Sequence, residues 1–370
     1  MSATLEDRSS RSAADPGPAI VRAMRRPGAR VGAAGLLLLL AAIVVSLAWA
    51  PDAFRQIHSG HALSPPSLQS ISARDEVGGA VAEAEVSASV QVEERRAAPA
   101  RQTYEVCGTA AGRAQFLRSL ERSPVMGSVS MTARPGSGCA SLVLEASSLR
   151  FPFGSDDLGR DVLSRTLMGI GISLTVGLSA ALIAISLGLV CGMVAGFFRG
   201  WLDFALMRVV DVVYSLPLLF IVILLAAMFG GSIAMTILVL GLLDWPDTAR
   251  IIRGRTIALM EENYVVAAVT LGVARRRILV RHIMPNVLQL AFVQLTVAVP
   301  KLIILETSLS FLGFGVREPY TSIGLLILQG TGNIEGAPWQ VLFPVLFLIA
   351  SLLALEAVSD SLRDETDLRP

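Results

Sequence analysis

Lysine is almost missing from this chain: Lys301 is the only one in 370 residues, and the remaining basic side chains are arginine. A phosphate-cradling P-loop needs a lysine directly after a glycine-rich turn. Lys301 instead follows Val299 and Pro300 inside an apolar run, so this chain supplies no such loop. Charge of any kind is sparse, at 16% of residues, and the net charge of +1 gives no general attraction to nucleic acid. Histidine and cysteine are scarce as well, three of each, and no Ser/His/Asp arrangement or cluster of metal ligands stands out in the long polar segment 51–150. Apolar residues are what the chain has, at 53%, with a mean hydropathy of +0.62. They come in blocks, which excludes an ordinary soluble domain.

A membrane-spanning helix needs roughly 20 mostly apolar residues. Six segments qualify, near 31–50, 172–198, 204–229, 232–252, 287–312 and 339–358. Arg22, Arg25, Arg26 and Arg30 precede the first and place the N-terminal tail, 1–30, in the cytoplasm by the positive-inside rule. Alternation then puts Arg199, Arg250, Arg253, Arg255, Arg275, Arg276, Arg277, Arg281 and Arg363 inside, with the tail 363–370. Segments 51–150 and 313–338 fall outside. A cleavable signal peptide ending at Ala48-Trp49-Ala50 is the competing reading of the N-terminus. The apolar run is long for a signal, and Pro51 disfavours cleavage, so the expectation is a retained anchor.

The fold class expected is therefore an all-α polytopic membrane protein of six helices with a small α+β insert after the first. Residues 1–21 are polar and Ser/Ala/Pro-rich, the composition of a disordered tail. Within 51–150, the stretch up to Ala100 reads as partly extended or flexible. From Tyr104 the pattern tightens into YEVCG, a helix-like AAGRAQFLRSLER, and two alternating runs, SVSMTARP and SLVLEASSL, joined by a Gly-Ser-Gly turn. Cys107 and Cys139 flank this unit in a compartment that permits a disulfide, the alternative being two reduced buried thiols. His58 and His61 have a His-x-x-His spacing, but with no second ligand pair nearby they read as linker histidines, and no metal site is expected. Cys191 lies inside a span as a small packing residue.

The most informative stretch is YVVAAVTLGVARRRILVRHIMPN, residues 264–286. Tyr264, Ala267, Ala268 and Leu271 fall at i, i+3, i+4 and i+7, one face of a short helix. Gly272 is placed to stop that helix in the left-handed conformation. A second amphipathic turn groups Ile278, Leu279, His282 and Ile283 opposite the arginines, Arg275 among them. Pro285 is expected to end it.

This stretch resembles the "EAA" docking loop of inner-membrane permease subunits of ATP-driven ABC importers. From Phe151 onward the chain is similar to the second permease subunit of the dipeptide/oligopeptide/nickel type. FPFGSDDLGRDVLSRTLMGIGISLTVG (151–177), FFRGWLDFALMRVVDVVYSLPLLF (197–220), LDWPDTARIIRG (243–254), LETSLSFLGFGV (305–316) and APWQVLFP (337–344) follow in the family's order. The resemblance implies a type I importer permease domain over 151–362, with its docking loop at 258–286. It implies no chemistry and no cofactor bound by this chain; ATP and magnesium would sit on two partner ATPase subunits. The other implied partners are a homologous second permease, an extracytoplasmic solute-binding protein and the bilayer. Peptides are the best cargo, followed by nickel chelates.

One position departs from the pattern: Val266 stands where the family has an acid before the two alanines, with Glu261 and Glu262 a turn away. Ionisable residues at membrane depth mark pathways or pairs, and here they are Asp211, Asp244, Lys301 and Glu306. Asp211 and Glu306 sit where the family often has acids, which implies a structural or gating role. Lys301 is unexpected; it faces the pathway, pairs with an acid on the partner permease, or snorkels to an interface. Two other functions stay open from the residues alone. One is an ion-driven transporter using Asp211, Asp244 and Glu306; the other is an anchored sensor or assembly factor acting through 51–150. A membrane-surface role for the arginine-rich helix is the alternative to docking.

Overall fold

The structure is a computed structural model that describes residues 27–49, 57–58, 61–72, 74–97, 101–121, 123, 126–133, 138–146, 148–229 and 231–367. The expected polar tail 1–21, Arg22, Arg25 and Arg26, the junction at Ala50 and Pro51, and most of the Gly-Ser-Gly turn lie outside them. The fold divides into two compact units, Met1–Val44 with Gly169–Leu325 and Leu346–Pro370, and Val45–Met168 with Leu326–Val345.

The first unit is helical, and its spans follow from uninterrupted apolar sequence. Helices α4 (Val162–Phe198), α7 (Ile233–Met260), α10 (Met284–Phe311) and α12 (Trp339–Asp367) carry it, with α1 (Pro27–Trp49) against them. Three helical stretches among the described residues are long and apolar enough to cross a membrane: Val162–Phe198, Arg275–Phe311 and Trp339–Asp364. Helix α7 has the length, but Asp244, Asp247, Arg250, Arg253 and Arg255 interrupt its apolar run.

The expected single span 204–229 is instead two helices, α5 (Gly200–Ser215) and α6 (Leu218–Phe229), bent by 83°. Pro217 is the cause. A residue before proline is pushed out of the helical region, and Leu216 is extended, with φ −77° and ψ 135°.

Glycine decides how closely the helices approach. Gly188, Gly192 and Gly196 form a small-xxx-small stripe on α4 that lies on α7. A Cβ on Gly192 would stand 2.4 Å from the carbonyl oxygen of Ala249, and one on Gly188 2.6 Å from the Thr248 side chain. Lipid gives helices no hydrophobic reason to associate, so close backbone packing supplies the attraction. Nearer the start of α4, Gly177 lies against Ile303 of α10, while Gly32 brings α1 against Ala354 of α12.

In the second unit a four-stranded antiparallel sheet of order β2-β3-β5-β4 is built from Gln91–Ala97, Arg101–Cys107, Cys139–Ala146 and Met126–Ala133. Strands β1 (Ser67–Ser72) and β6 (Ser148–Phe151) pair separately. Helices α2 (Arg74–Ala88) and α3 (Ala110–Glu121) share a core with the sheet, centred on Val77, Val81, Phe116, Leu120, Leu142 and Leu144. The stretch before Ala100 is thus more regular than its composition suggests. Val77, Val81, Ala84 and Ala88 recur at helical spacing and are all buried, giving α2 an apolar face without an aromatic residue. Cys107 and Cys139 stand opposite each other on β3 and β5 and are disulfide-bonded. His58 and His61 set their rings around Phe151, with centroids 6.3 and 6.1 Å away.

Candidate functional site

The segment that joins α7 to α10 is an elbow. Helix α8 (Asn263–Thr270) ends on Leu271 and Gly272, whose φ is +72°. The amide of Gly272 donates to the carbonyl of Val269, and that of Val273 to Ala268, which together form a Schellman cap. A Cβ at Gly272 would meet open space, so the left-handed backbone, not crowding, calls for glycine there. The chain then re-enters a helix at α9 (Arg275–Ile278).

The elbow's second arm does not stop at Pro285. From Arg275 to Phe311 the helix runs on, through a π-helical turn at Leu279–Ile283 into α10, where Pro285 takes a first-turn position. Proline is tolerated there because its missing N–H would have no partner in the first turn. The wider π turn absorbs the mismatch, and the Asn286 side-chain amide donates to the His282 carbonyl at 2.7 Å. The sequence expectation of a helix end at Pro285 is therefore wrong; the arm is continuous with a membrane helix.

Exposure around the elbow sorts its residues. Ala268 and Val265 face inward on α8, whereas Tyr264, Ala267 and Leu271 are exposed, Leu271 by 83%. The expected common face of Tyr264, Ala267, Ala268 and Leu271 is thus split, because α8 buries one narrow edge and presents the rest. On the second arm Ile278 and Ile283 are buried, Leu279 and His282 are half-buried, and Arg275, Arg276, Arg277 and Arg281 are exposed. The rings of Tyr264 and His282 meet across the bend, 6.2 Å between centroids. Val266 is exposed; Glu261, a turn earlier, is engaged by Arg199 at 3.3 Å.

Behind the elbow, ion pairs tie α7 to α5. Arg253 grips Asp203 through two hydrogen bonds, Nε to Oδ1 at 2.5 Å and Nη2 to Oδ2 at 2.6 Å. Arg250 reaches Asp211 at 2.8 Å and lies over the Tyr214 ring. This bidentate geometry is the strong kind of arginine–carboxylate contact. The sequence marked Arg253 only as a cytoplasmic charge and gave no sign of its partner Asp203, since a separation of 50 residues leaves no local signal.

Besides Asp211, the ionisable residues singled out from the apolar runs resolve into two separate sets. Glu306 is fully buried and accepts hydrogen bonds from Ser173 of α4 and Ser310 of α10, both at 2.7 Å. Lys301 pairs within its own chain: its Nζ lies 2.6 Å from Asp244 and 3.3 Å from Asp247, both on α7. The expectation of an acid on a partner is not needed to place it. Asp247 was not singled out from the sequence, although its position three residues from Asp244 puts it on the same helical face.

In the second unit, Asp156 takes Arg160 and Arg165 together, with Arg160 Nε at 2.7 Å. Asp161 caps the start of α4 through the Ser164 amide at 2.9 Å, and burial pushes its carboxyl above the usual aspartate range despite those hydrogen bonds.

Residues 188–367 match the family described as binding-protein-dependent transport system inner membrane component. Over 215 residues the chain is 41% identical to the oligopeptide transport system permease protein OppC of Haemophilus influenzae, covering 58% of this chain and 69% of that protein. It is 45% identical to OppC of Escherichia coli K12, covering 58% and 71% of the two chains. It is also 39% identical over 216 residues to the dipeptide transport system permease protein DppC of Bacillus subtilis, covering 58% and 68%.

Proposed function

The chain belongs to the family of binding-protein-dependent transport system inner membrane components, and from that premise we propose that its elbow is the site where ATPase motion enters the membrane. The chain is a multi-pass inner-membrane permease of the peptide ABC-importer type, a transport protein and not an enzyme by family. Its proposed work is mechanical. Helices α8 and α9 insert into a groove on an ATPase subunit, and closure of the two ATPase subunits on ATP tilts the arm. Because α9 continues through the π turn into α10, that tilt moves a membrane helix directly.

The single observation that carries this reading is the unbroken helix from Arg275 to Phe311 behind a Gly272-capped arm. A flexible connector would dissipate a push; a capped helix joined to a span transmits it. The exposed Leu271 and arginines give the docking face, in which Ala267 permits close backbone approach. In this reading a second permease completes the pathway and six crossings put both termini in the cytoplasm, the bent α5–α6 pair counting as one span and α1 and α7 as two others. The sheet-containing unit around Cys107 and Cys139 is an extracytoplasmic insert that meets the solute-binding protein. Di- and oligopeptides are the cargo.

The test is a pair of measurements on the assembled importer. Leu271→Cys should crosslink to an ATPase subunit with a short bismaleimide. Proteoliposomes should take up a labelled tripeptide only with ATP and the loaded binding protein both present. Uptake driven by an ion gradient without ATP, or an elbow that labels from the extracytoplasmic side, would sink the reading.

A further inference from the structure

The ion cluster of Asp244, Asp247 and Lys301 lies where three cavities converge. One of about 350 Å³ is lined by Asp244, Asp247, Arg250, Gln294 and Lys301. A second of about 270 Å³ is lined by Tyr214, Asp244, Asp247 and Lys301, and a third of about 490 Å³ continues past Lys301 toward Glu356 and Arg363. Each helix carrying the cluster also contains a proline beside it, Pro246 in α7 and Pro300 in α10. Proline removes a backbone hydrogen bond from the helix interior, so both helices are locally weakened at the level of the cluster.

The charges do not balance. The buried Asp244, 8% exposed at its side chain, takes the shorter contact from Lys301 and neutralises it. Of the other cations on these walls, Arg250 is held by Asp211, and Arg363 lies in the third cavity with two acids, Glu356 and Asp360. Asp247 remains, with its side chain 49% exposed and only the longer contact of 3.3 Å to Lys301. One carboxylate thus borders two cavities with its charge largely unanswered.

We infer that Asp247 receives a cationic group of the passing solute, an α-ammonium or a basic side chain of a peptide, while the Asp244–Lys301 pair holds the acid in place. The inference rests on the reading of the chain as a peptide permease. An ionised group at membrane depth is costly unless paired or wet, and a transient ammonium partner answers the charge that the protein leaves over. Lys301 sets the selectivity by holding Asp244, since without it two carboxylates instead of one would border the cavities and favour cationic solutes further.

The experiment uses the complete importer in proteoliposomes with labelled Ala-Ala-Ala, Ala-Lys-Ala and Ala-Glu-Ala. Each is supplied at saturating occupancy of the binding protein, measured separately. For Asp247→Asn, the initial rate for Ala-Lys-Ala relative to Ala-Glu-Ala should fall by about three- to fivefold, the worth of a half-exposed ion pair. Asp247→Glu should restore the ratio. Lys301→Gln should move it the other way, toward the cationic peptide. Equal loss for all three peptides in Asp247→Asn, with weaker copurification of the second permease, would overturn the proposal in favour of a subunit contact. Unchanged ratios in both variants would overturn it outright. Failure of the wild-type importer to take up any of the three would instead remove the permease reading on which it stands.

Discussion

Tyr264 and His282 lie on opposite arms of the elbow, and their rings approach to 6.2 Å at a tilt of 47° across Gly272. Residues 264–282 thus close into one mechanical piece, pinned at the bend by a left-handed glycine and at the open side by two rings. If this piece transmits force, loosening it should separate ATP hydrolysis from uptake without unfolding the helices. Gly272→Ala places a Cβ on a left-handed backbone at a cost of about 1–2 kcal/mol. The expected outcome is an importer that assembles and hydrolyses ATP, yet responds to loaded binding protein several-fold less. Tyr264→Ala should act in the same direction but more weakly. Wild-type stimulation in both variants would show that the bend is passive.

Helix α4 meets α7 along Gly188, Gly192 and Gly196, and the tightest place is Gly192 at 2.4 Å from the Ala249 carbonyl. Gly192→Leu cannot be housed there without separating the helices. Overpacking of this kind typically costs about 1–3 kcal/mol. The purified protein should lose thermal stability in detergent and yield poorly. Gly200→Ala is the control for a glycine with open space around it, although its φ of +65° carries a backbone cost of its own. Equal stability of Gly192→Leu and wild type would contradict the close approach.

Glu306 is an interhelical tie whose carboxylate accepts from Ser173 and Ser310. Removing the acceptor strands two buried hydroxyls, each worth about 1–3 kcal/mol when unsatisfied. Glu306→Leu should therefore destabilise the α4–α10 contact strongly, and Glu306→Gln, which keeps an acceptor, should be much milder. Measured melting of the two variants in the same detergent decides it. A Leu variant as stable as the Gln variant would mean that the carboxyl group is not the tie.

The Cys107–Cys139 bond joins positions 32 residues apart. Chain-entropy estimates for a loop of that length give about 3–4 kcal/mol. Double replacement by serine should leave the membrane helices in place but open α2, α3 and the sheet to protease. Limited proteolysis, with and without reductant, should show cleavage within 74–146 only when the bond is absent. Equal resistance in both conditions would mean that the apolar core around Phe116 suffices.

Linear order was enough for the longest apolar helices and for one face of the elbow, though not for the span at 204–229 or the face of α8. Apolar runs announced the long helices α4, α10 and α12, since a bilayer rewards any uncharged run of sufficient length. Spacing gave the inward position of Ile278 and Ile283, and Gly272 was legible because few residues other than glycine tolerate its backbone angle. Proline misled at Pro285, where a π turn and a first-turn position accommodate it. At Pro217, part of the motif 197–220, its break in the span was not anticipated.

What only the tertiary structure decided is which distant groups meet. Arg253 finds Asp203, Lys301 finds Asp244 and Asp247, and Ser173 finds Glu306, across separations of 50 to 133 residues. No periodicity encodes such meetings, because each depends on how the glycine stripe of α4 lets neighbouring helices settle. A charge in a membrane protein is interpretable only with its partner, and partners are chosen by packing.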